Sequence, residues 1–512
     1  MTLFAFLVAL LAPAAWSASF PVWITSSLER TGQTDPPGIV TQADLAAAQQ
    51  EYAAFQIVIK APSTGLTGVN VTASPLTGAG HSIDPRNIGL YREHYVYVDR
   101  PGPDWHGPNQ SRGAGWYPDP LIPFVDPATG NPPARATLAA ANFRLDAAKN
   151  QPLWADVYVP SGTPPGVYTG NIQITADQGQ ASIPVKLTVW NFALPLAPSM
   201  KSLFQLWSPA DRNTVEELLR HKVMPQKVAP RDEPQLIRKF GLNMTTTGFW
   251  SGADNSNCTM SQPPSTAQFR KAAASHAKGL FLANYTADEI DHCRDLTPNL
   301  EVWGMNMHPA GIKNLLVMTP VPQLFSAVDI WVVMPKMYDA AGPQIAQARA
   351  HGAEIWSYNT LVQDGYSPKW TIDFDPIGIR LQAGFLSQTL GLTGLLYWRM
   401  DKWGSDPWNN VNNSGVFSAN NYPGEGVLVY PGGPVGVSGV VASLRLKQIR
   451  QGIQDYEYVE ILKKLGQGDW ALQQIKRIAP DWKNWTRDAK SIEAVRRELG
   501  EKISSLAAHP AY

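Results

Sequence analysis

The sequence predicts a multidomain β plus α/β protein: an N-terminal antiparallel β-sandwich, then a TIM (β/α)8 barrel, then a C-terminal helical extension. Three observations lead there. A chain of 512 residues is too long for one ordinary core, so two or three domains are expected. From about residue 20 to 196, short apolar or alternating runs follow one another between Pro- and Gly-rich breaks, with almost no helical periodicity. Beyond the proline-punctuated stretch 194–199, the pattern changes to strands alternating with helical segments.

Residues 1–19 read as a signal peptide, an apolar run followed by small residues, although it lacks the usual Lys or Arg at its start. The expected mature protein is secreted or periplasmic. No cysteine near the cleavage region suggests a lipid anchor, and no later run is long enough to span a bilayer. The sandwich is assigned to 20–197, with strands at 52–60, 69–73, 88–98, 153–159, 167–175 and 181–190, the last two joined as a hairpin by the turn at 177–180. The segment 101–133 is too polar and Pro-rich for a core, and is expected to lie over the neighbouring domain.

The barrel is assigned to 200–465. Eight candidate strands are counted, at 202–207, 221–226, 242–250, 279–289, 313–318, 329–334, 353–359 and 393–400, with the second and fifth the weakest. Helical segments fall between them at 212–220, 234–240, 266–278, 343–350 and 378–391. An insertion at 402–439 delays the last helix, and a loop that long inside a compact domain is usually functional. Residues 466–512 carry two amphipathic helices, read as a structural appendix.

Composition narrows the partners. The 42 basic residues balance the 42 acidic ones, which gives no electrostatic support for nucleic acid or a membrane surface. Eighteen Trp and 17 Tyr supply flat rings suited to stacking on sugars, so the expected partner is an oligosaccharide or glycoconjugate. No metal-ligand spacing, Walker motif or dinucleotide-binding glycine pattern is present, so no cofactor is expected. Export would permit a disulfide between the only two cysteines, Cys258 and Cys293, which follow neighbouring strands; two buried free thiols are the alternative.

The candidate chemistry lies in AKGLFLANYTADEID (277–291), which reads as a buried strand surfacing with two carboxylates, Asp288 and Glu289. Barrel enzymes place their chemistry at the C-terminal ends of strands. Two adjacent carboxylates repel by roughly 3 kcal/mol, or about two pKa units, enough to keep one protonated while the other is ionised. A second pair, Asp232 and Glu233, precedes Pro234 and a helical run, and reads as an acidic N-cap. Trp207, Trp250, Tyr285, Tyr338, Tyr358 and Trp398 all fall near strand ends, with Trp403 and Trp408 in the insertion. Together they would wall a saccharide cleft, with Asn359, Arg399 and Asp401 bonding to hydroxyls.

The chain resembles glycoside hydrolase family 123 and the related secreted proteins that share its C-terminal domain. The resemblance is carried by TGLLYWRMDKW (393–403), GEGVLVYPG (424–432), SLRL (443–446) and RQGIQDYEY (450–458), supported by VDIWV (328–332), IWSY (355–358), LYREHY (90–95) and WYPDPL (116–121). It implies a sandwich joined to a barrel, and removal of terminal N-acetylgalactosamine by a substrate-assisted retaining mechanism without a cofactor. Asp288 would then orient the substrate's 2-acetamido group and Glu289 would serve as general acid and base. Ile290 is a departure, since the family's pair is usually followed by proline. Two alternatives stay open: an ordinary two-carboxylate glycosidase in which Glu289 pairs with an acid such as Asp401, and a non-catalytic carbohydrate-binding surface protein.

Overall fold

The computed structural model describes residues 19–412 and 421–508. The signal-peptide segment, apart from Ser19, lies outside the described residues, as does 413–420 within the insertion.

The N-terminal region is a two-sheet sandwich. One sheet is antiparallel throughout, in the order Val22–Ser26, Tyr52–Lys60, Asn150–Tyr158, Ile88–Val98, Gly115–Pro123. The other runs Ala43–Gln49, Gly179–Ala193, Gly166–Ala176, Leu66–Ala73, Phe143–Leu145, with the short strands Leu76–Gly78 and His81–Ile83 to one side. The expected hairpin is present, with Ala176 opposite Gly179. Alternate residues of both sheets, such as Ile57, Leu153, Ile172 and Leu187, share one core, as a two-layer β architecture requires.

Two expectations are corrected here. The sandwich is not purely antiparallel, because Ala43–Gln49 pairs parallel to Gly179–Ala193. The segment 101–133 also divides. Gly115–Pro123 is a largely buried strand, its prolines tolerated because it lies on a sheet edge. The part before it lies over the second domain, where Gly102 donates to Asp373 and Asn109 to Ser367, and the strand itself meets that domain through Asp119, which pairs with Arg445, and Pro120, which bridges to Ser443.

The second region holds seven parallel strands in the order Lys201–Phe204, Gly394–Tyr397, Glu354–Tyr358, Ile330–Val333, Lys313–Val317, Phe281–Asp288, Met244–Thr246. This is a nearly closed, barrel-like sheet and not the eight-stranded barrel expected. The place of the missing second strand is taken by residues 224–226. Phe204 donates to Met224 O, Gln226 donates to Phe204 O, and Thr246 donates to Gln226 O, at 2.9, 3.0 and 3.1 Å. Pro225 sits in the middle of that run and has no N–H to give a ladder, so only an isolated bridge forms. The fifth expected strand is present as Lys313–Val317.

Side chains alternate along these strands. Leu203, Ala283, Tyr285, Leu315, Ile330 and Leu396 fill the interior of the sheet, while Ala287, Leu316, Trp331 and Ile355 pack outward against helices. The helix Leu444–Lys464, capped by Ser443, is buried over most of its length. Its charged groups find partners in the sandwich: Arg445 bonds to Asp119, and Lys447 and Arg450 to Asp156. The C-terminal helix Ala489–Ala508 joins the same junction through Arg496, which bonds to Ala46 O and pairs with Glu51. Among the described residues no helix is long and apolar enough to cross a membrane.

Candidate active site

The strand Phe281–Asp288 ends at the rim of a cleft of about 590 Å³. Its register against Lys313–Val317 shifts between Tyr285 and Ala287, so Thr286 is an extra residue. The bulge is pinned by hydrogen bonds. The Thr286 hydroxyl donates to Asn314 Oδ1 at 2.7 Å and accepts from Asn284 Nδ2 at 3.0 Å, while Ser251 Oγ donates to the Thr286 carbonyl at 2.5 Å. A bulge reverses the facing of every later residue. Ala287 therefore packs outward, and Asp288 faces the cleft beside Tyr285.

Glu289 follows with φ of 51°, a left-handed conformation uncommon for a residue with a side chain. Its N–H donates to Val317 O at 2.8 Å, which continues the ladder one residue past the strand. Glu289 is exposed, whereas Ile290 is buried with Ala287, Cys293 and Leu316. Where a proline would stiffen the turn, the isoleucine anchors it by burial.

The electrostatics separate the pair from ordinary surface acids. Burial, and then the charge of Glu289, push the Asp288 carboxyl up to about 7 against the opposing Tyr285 hydroxyl. Burial and Asp291 raise Glu289 as well. Asp288 Oδ1 is buried with no hydrogen-bond partner among the described residues, so an acceptor is held ready at the cleft wall.

Aromatic side chains form the rest of the wall. Trp250 tilts against Tyr285 with ring centroids 5.7 Å apart, and Trp207 meets Trp398 edge-on at the same distance. Trp207 is 62% exposed and Trp250 51%, so large apolar faces stand open to solvent at the cleft. Asp288 and Glu289 are the only carboxylates among its described lining residues. A larger cavity of about 790 Å³, between the strand Val22–Ser26 and the helix Ala489–Ala508, contains neither member of the pair, and its Glu29 and Glu493 accept from Thr25 and Ser26.

Known proteins bear on this geometry. The family model for the glycoside hydrolase 123 N-terminal domain matches residues 32–176, and that for the glycoside hydrolase 123 catalytic domain matches 323–462. Together they span more than half of the chain. The chain belongs to glycoside hydrolase family 123. As a member of family 123 it is a glycosidase, and its substrates are glycans. The acid pair lies outside both matched segments.

The family 123 fold is seen again in a solved structure from Clostridium perfringens, a family 123 glycoside hydrolase studied for glycolipid glycan hydrolysis. It is 14% identical, covers 96% of this chain and 99% of that one, and has a TM-score of 0.65. A β-galacturonidase from Eisenbergiella tayi (10% identical, 79% of this chain and 69% of that one, TM-score 0.30) and a β-glucuronidase from Parabacteroides merdae (8%, 80% and 52%, TM-score 0.29) are too distant to bear on fold or function. No curated protein matches the sequence.

Of the residues expected at the site of this family 123 enzyme, Trp250, Tyr285, Asp288, Glu289, Tyr358 and Trp398 line one cleft, and Trp207 joins them. The others do not. Tyr338 donates its hydroxyl to Leu390 O and packs on Trp482. Asn359 is buried, donating to Pro368 O and Gln382 Oε1. Asp401 is also buried and accepts from the N–H groups of Trp207 and Ser208 and from Arg399. Its role is to hold the loop that carries Trp207. Trp403 donates to Val429 O and packs between two cores. Tyr338, Asn359, Arg399 and Asp401 lie near strand ends in sequence, and Trp403 and Trp408 in the insertion, but position in sequence does not tell which way a side chain turns.

The second acid pair is structural, in a different manner from that expected. Asp232 makes no side-chain cap bond and pairs with Arg212, and Glu233 is fully buried, held by His276 Nδ1 at 2.6 Å and Ala277 N–H at 2.7 Å. Cys258 and Cys293 form a disulfide with Cα atoms 5.1 Å apart. With His292 they are also the one convergent group of potential metal ligands among the described residues, but both sulfurs are bonded to each other.

Sequence reasoning missed Glu425. This buried carboxylate of the insertion accepts from the Trp398 indole at 2.7 Å, the Leu361 N–H at 3.0 Å and the Thr360 hydroxyl at 3.2 Å, all three residues being in the cleft wall. Its place in the GEGVLVYPG stretch, between two glycines with positive φ, was the available signal.

Proposed function

We propose that this glycosidase is an exported enzyme of the β-N-acetylhexosaminidase type that removes terminal 2-acetamido sugars, N-acetylgalactosamine first among them, with the substrate supplying its own nucleophile. The observation that carries the reading is the placement of the two carboxylates. They are consecutive on one rim of the cleft, with no third carboxylate among its described lining residues. A retaining enzyme with a protein nucleophile needs acids on both faces of the scissile bond, about 5–5.5 Å apart. Asp401, the acid that would otherwise complete such a pair, is buried and engaged by Trp207, Ser208 and Arg399.

In this mechanism the free Oδ1 of Asp288 accepts the acetamido N–H and turns its carbonyl oxygen towards the anomeric carbon. That oxygen attacks as the glycosidic bond breaks, Glu289 protonates the leaving oxygen, and an oxazolinium forms. Glu289, now ionised, takes a proton from water as the water opens the ring, restoring the starting protonation. Exposed Trp207 and Trp250 suit the apolar faces of sugars, and the disulfide suits an oxidising compartment. The Clostridium perfringens relative's glycolipid glycans are candidate substrates.

The test is release of 4-nitrophenol from the β-N-acetylgalactosaminide and the β-N-acetylglucosaminide, and from the β-galactoside that lacks the acetamido group. Turnover of a 2-acetamido substrate but not the galactoside, with loss in Glu289→Gln, is expected. Equal turnover of the galactoside would falsify substrate assistance.

A further inference from the structure

The loop 101–113, which the sandwich lays over the second domain, carries an aromatic ring that the reaction above leaves unused. Trp105 is 51% exposed, yet its indole N–H is spent within the fold, donating to Val362 O at 2.7 Å. Leu361, the residue before Val362, lines the cleft and is held there with φ of 57°. The indole is therefore fixed by its polar edge immediately outside the cleft rim, with apolar surface left in solvent. Leaving half of an indole in water forgoes apolar burial that a core tryptophan would gain. A ring whose purpose was to tether the loop would be expected to bury more of itself.

The loop beneath it is rigid. The Asp373 carboxylate accepts from Gly102 N–H at 2.7 Å and Ser111 Oγ at 2.5 Å. Asn109 donates its N–H to Gly365 O at 2.9 Å and its amide to Ser367 O at 2.7 Å. Gly107 and Gly365 pass so close that a Cβ on Gly107 would stand 1.9 Å from the Gly365 carbonyl oxygen, so the crossing admits no side chain there. A preorganised ring loses little entropy when a ligand stacks on it.

We propose that Trp105 is a stacking platform for a sugar on the leaving-group side of the cleft, so that the sandwich contributes a subsite and the enzyme favours glycans longer than a simple glycoside. The inference rests on the hydrolytic reading above. Leu361 belongs to the cleft wall and the carbonyl of the next residue, Val362, holds the Trp105 indole, so a glycan that extends past that part of the wall would meet this ring.

The experiment compares 4-nitrophenyl β-N-acetylgalactosaminide with a reducing-end-extended tetrasaccharide bearing the same terminal sugar, in wild type, Trp105→Ala and Trp105→Phe. Trp105→Ala is expected to raise KM for the tetrasaccharide by ~10-fold, as for a stacked Trp anchor, and to leave the short substrate within about twofold. Trp105→Phe keeps a ring but not the N–H, and is expected to retain most of the preference for the long substrate. Equal losses on both substrates, or losses in Trp105→Phe as large as in Trp105→Ala, would mark the residue as a tether and overturn the proposal, as would no change on either substrate. If wild type turns over neither substrate, the hydrolytic reading fails by itself. The platform is then judged by fluorescence titration with the tetrasaccharide, where equal affinity of wild type and Trp105→Ala overturns it and weaker binding by the variant supports it.

Discussion

Tyr285 and Asp288 stand three residues apart on one strand and yet face the same cleft, because Thr286 is bulged out of register between them. In an unbroken strand residues two apart share a face, and Ala287 would have taken the place of Asp288. The bulge depends on the Thr286 hydroxyl and its bonds to Asn314 and Asn284. Thr286→Val keeps the shape and removes both bonds. It is expected to lower kcat by ~10- to 100-fold through misplacement of Asp288, with a smaller change in KM, in steady-state assays of protein whose circular dichroism is unchanged.

The raised pKa of Asp288 makes a stability prediction. A carboxyl at about 7 in the fold, against an ordinary value of 3.8, holds its proton more tightly folded than unfolded. Stability is therefore lost as pH rises from about 4 to 7, and the loss is complete above that window. Asp288→Asn removes the penalty, on the order of 2–4 kcal/mol. The variant is expected to melt higher than wild type at pH 8 and at the same temperature near pH 4, while losing activity. Asp291→Asn should move the basic limb of kcat/KM to lower pH, since after burial Asp291 is the group that lifts Glu289.

Glu425 tests whether the insertion shapes the cleft. Glu425→Ala leaves the Trp398 indole, the Thr360 hydroxyl and the Leu361 N–H without this acceptor, each half-buried loss costing about 1 kcal/mol. A KM increase of ~10-fold is expected, with a shift in tryptophan emission as Trp398 is released. Glu425→Gln, which keeps one carbonyl oxygen, should lie between Ala and wild type.

The two regions are expected to fold only together. Arg445 and Asp119 are both fully buried and pair at 2.9 Å, and Asp156 holds Lys447 and Arg450. Expressed alone, residues 200–512 would leave three cations on a helix without their carboxylates. That fragment should show no cooperative melt by circular dichroism. In the full chain, Asp156→Ala should cost on the order of 3–5 kcal/mol, as breaking a buried pair does, read as a fall in the denaturant midpoint.

Much of this was legible in sequence, and the limit has a physical cause. The switch from period-two runs to alternating strands and helices marked the two regions, because hydrophobic periodicity is local. The proline linker, the hairpin at 177–180 and the helix after Ser443 were readable for the same reason. Family motifs and the strand-end position singled out Asp288 and Glu289. Pro225, which reduces the second strand to a bridge, was visible, but its consequence depends on neighbours that only the fold supplies.

Facing and partnership were decided by tertiary structure alone. Tyr338, Asn359 and Asp401 sit near strand ends as Tyr358 and Trp398 do, and Trp403 follows in the insertion, yet packing turns Tyr338, Asn359, Asp401 and Trp403 into the framework and Tyr358 and Trp398 into the cleft. Glu425 reaches the wall from 27 residues beyond Trp398. The sequence alone determined which residue types were available at the rim and that two acids adjoin there. It did not determine that both reach the cleft. That required the bulge at Thr286, which is stabilised by Asn314 on the next strand and so exists only once the two strands have paired.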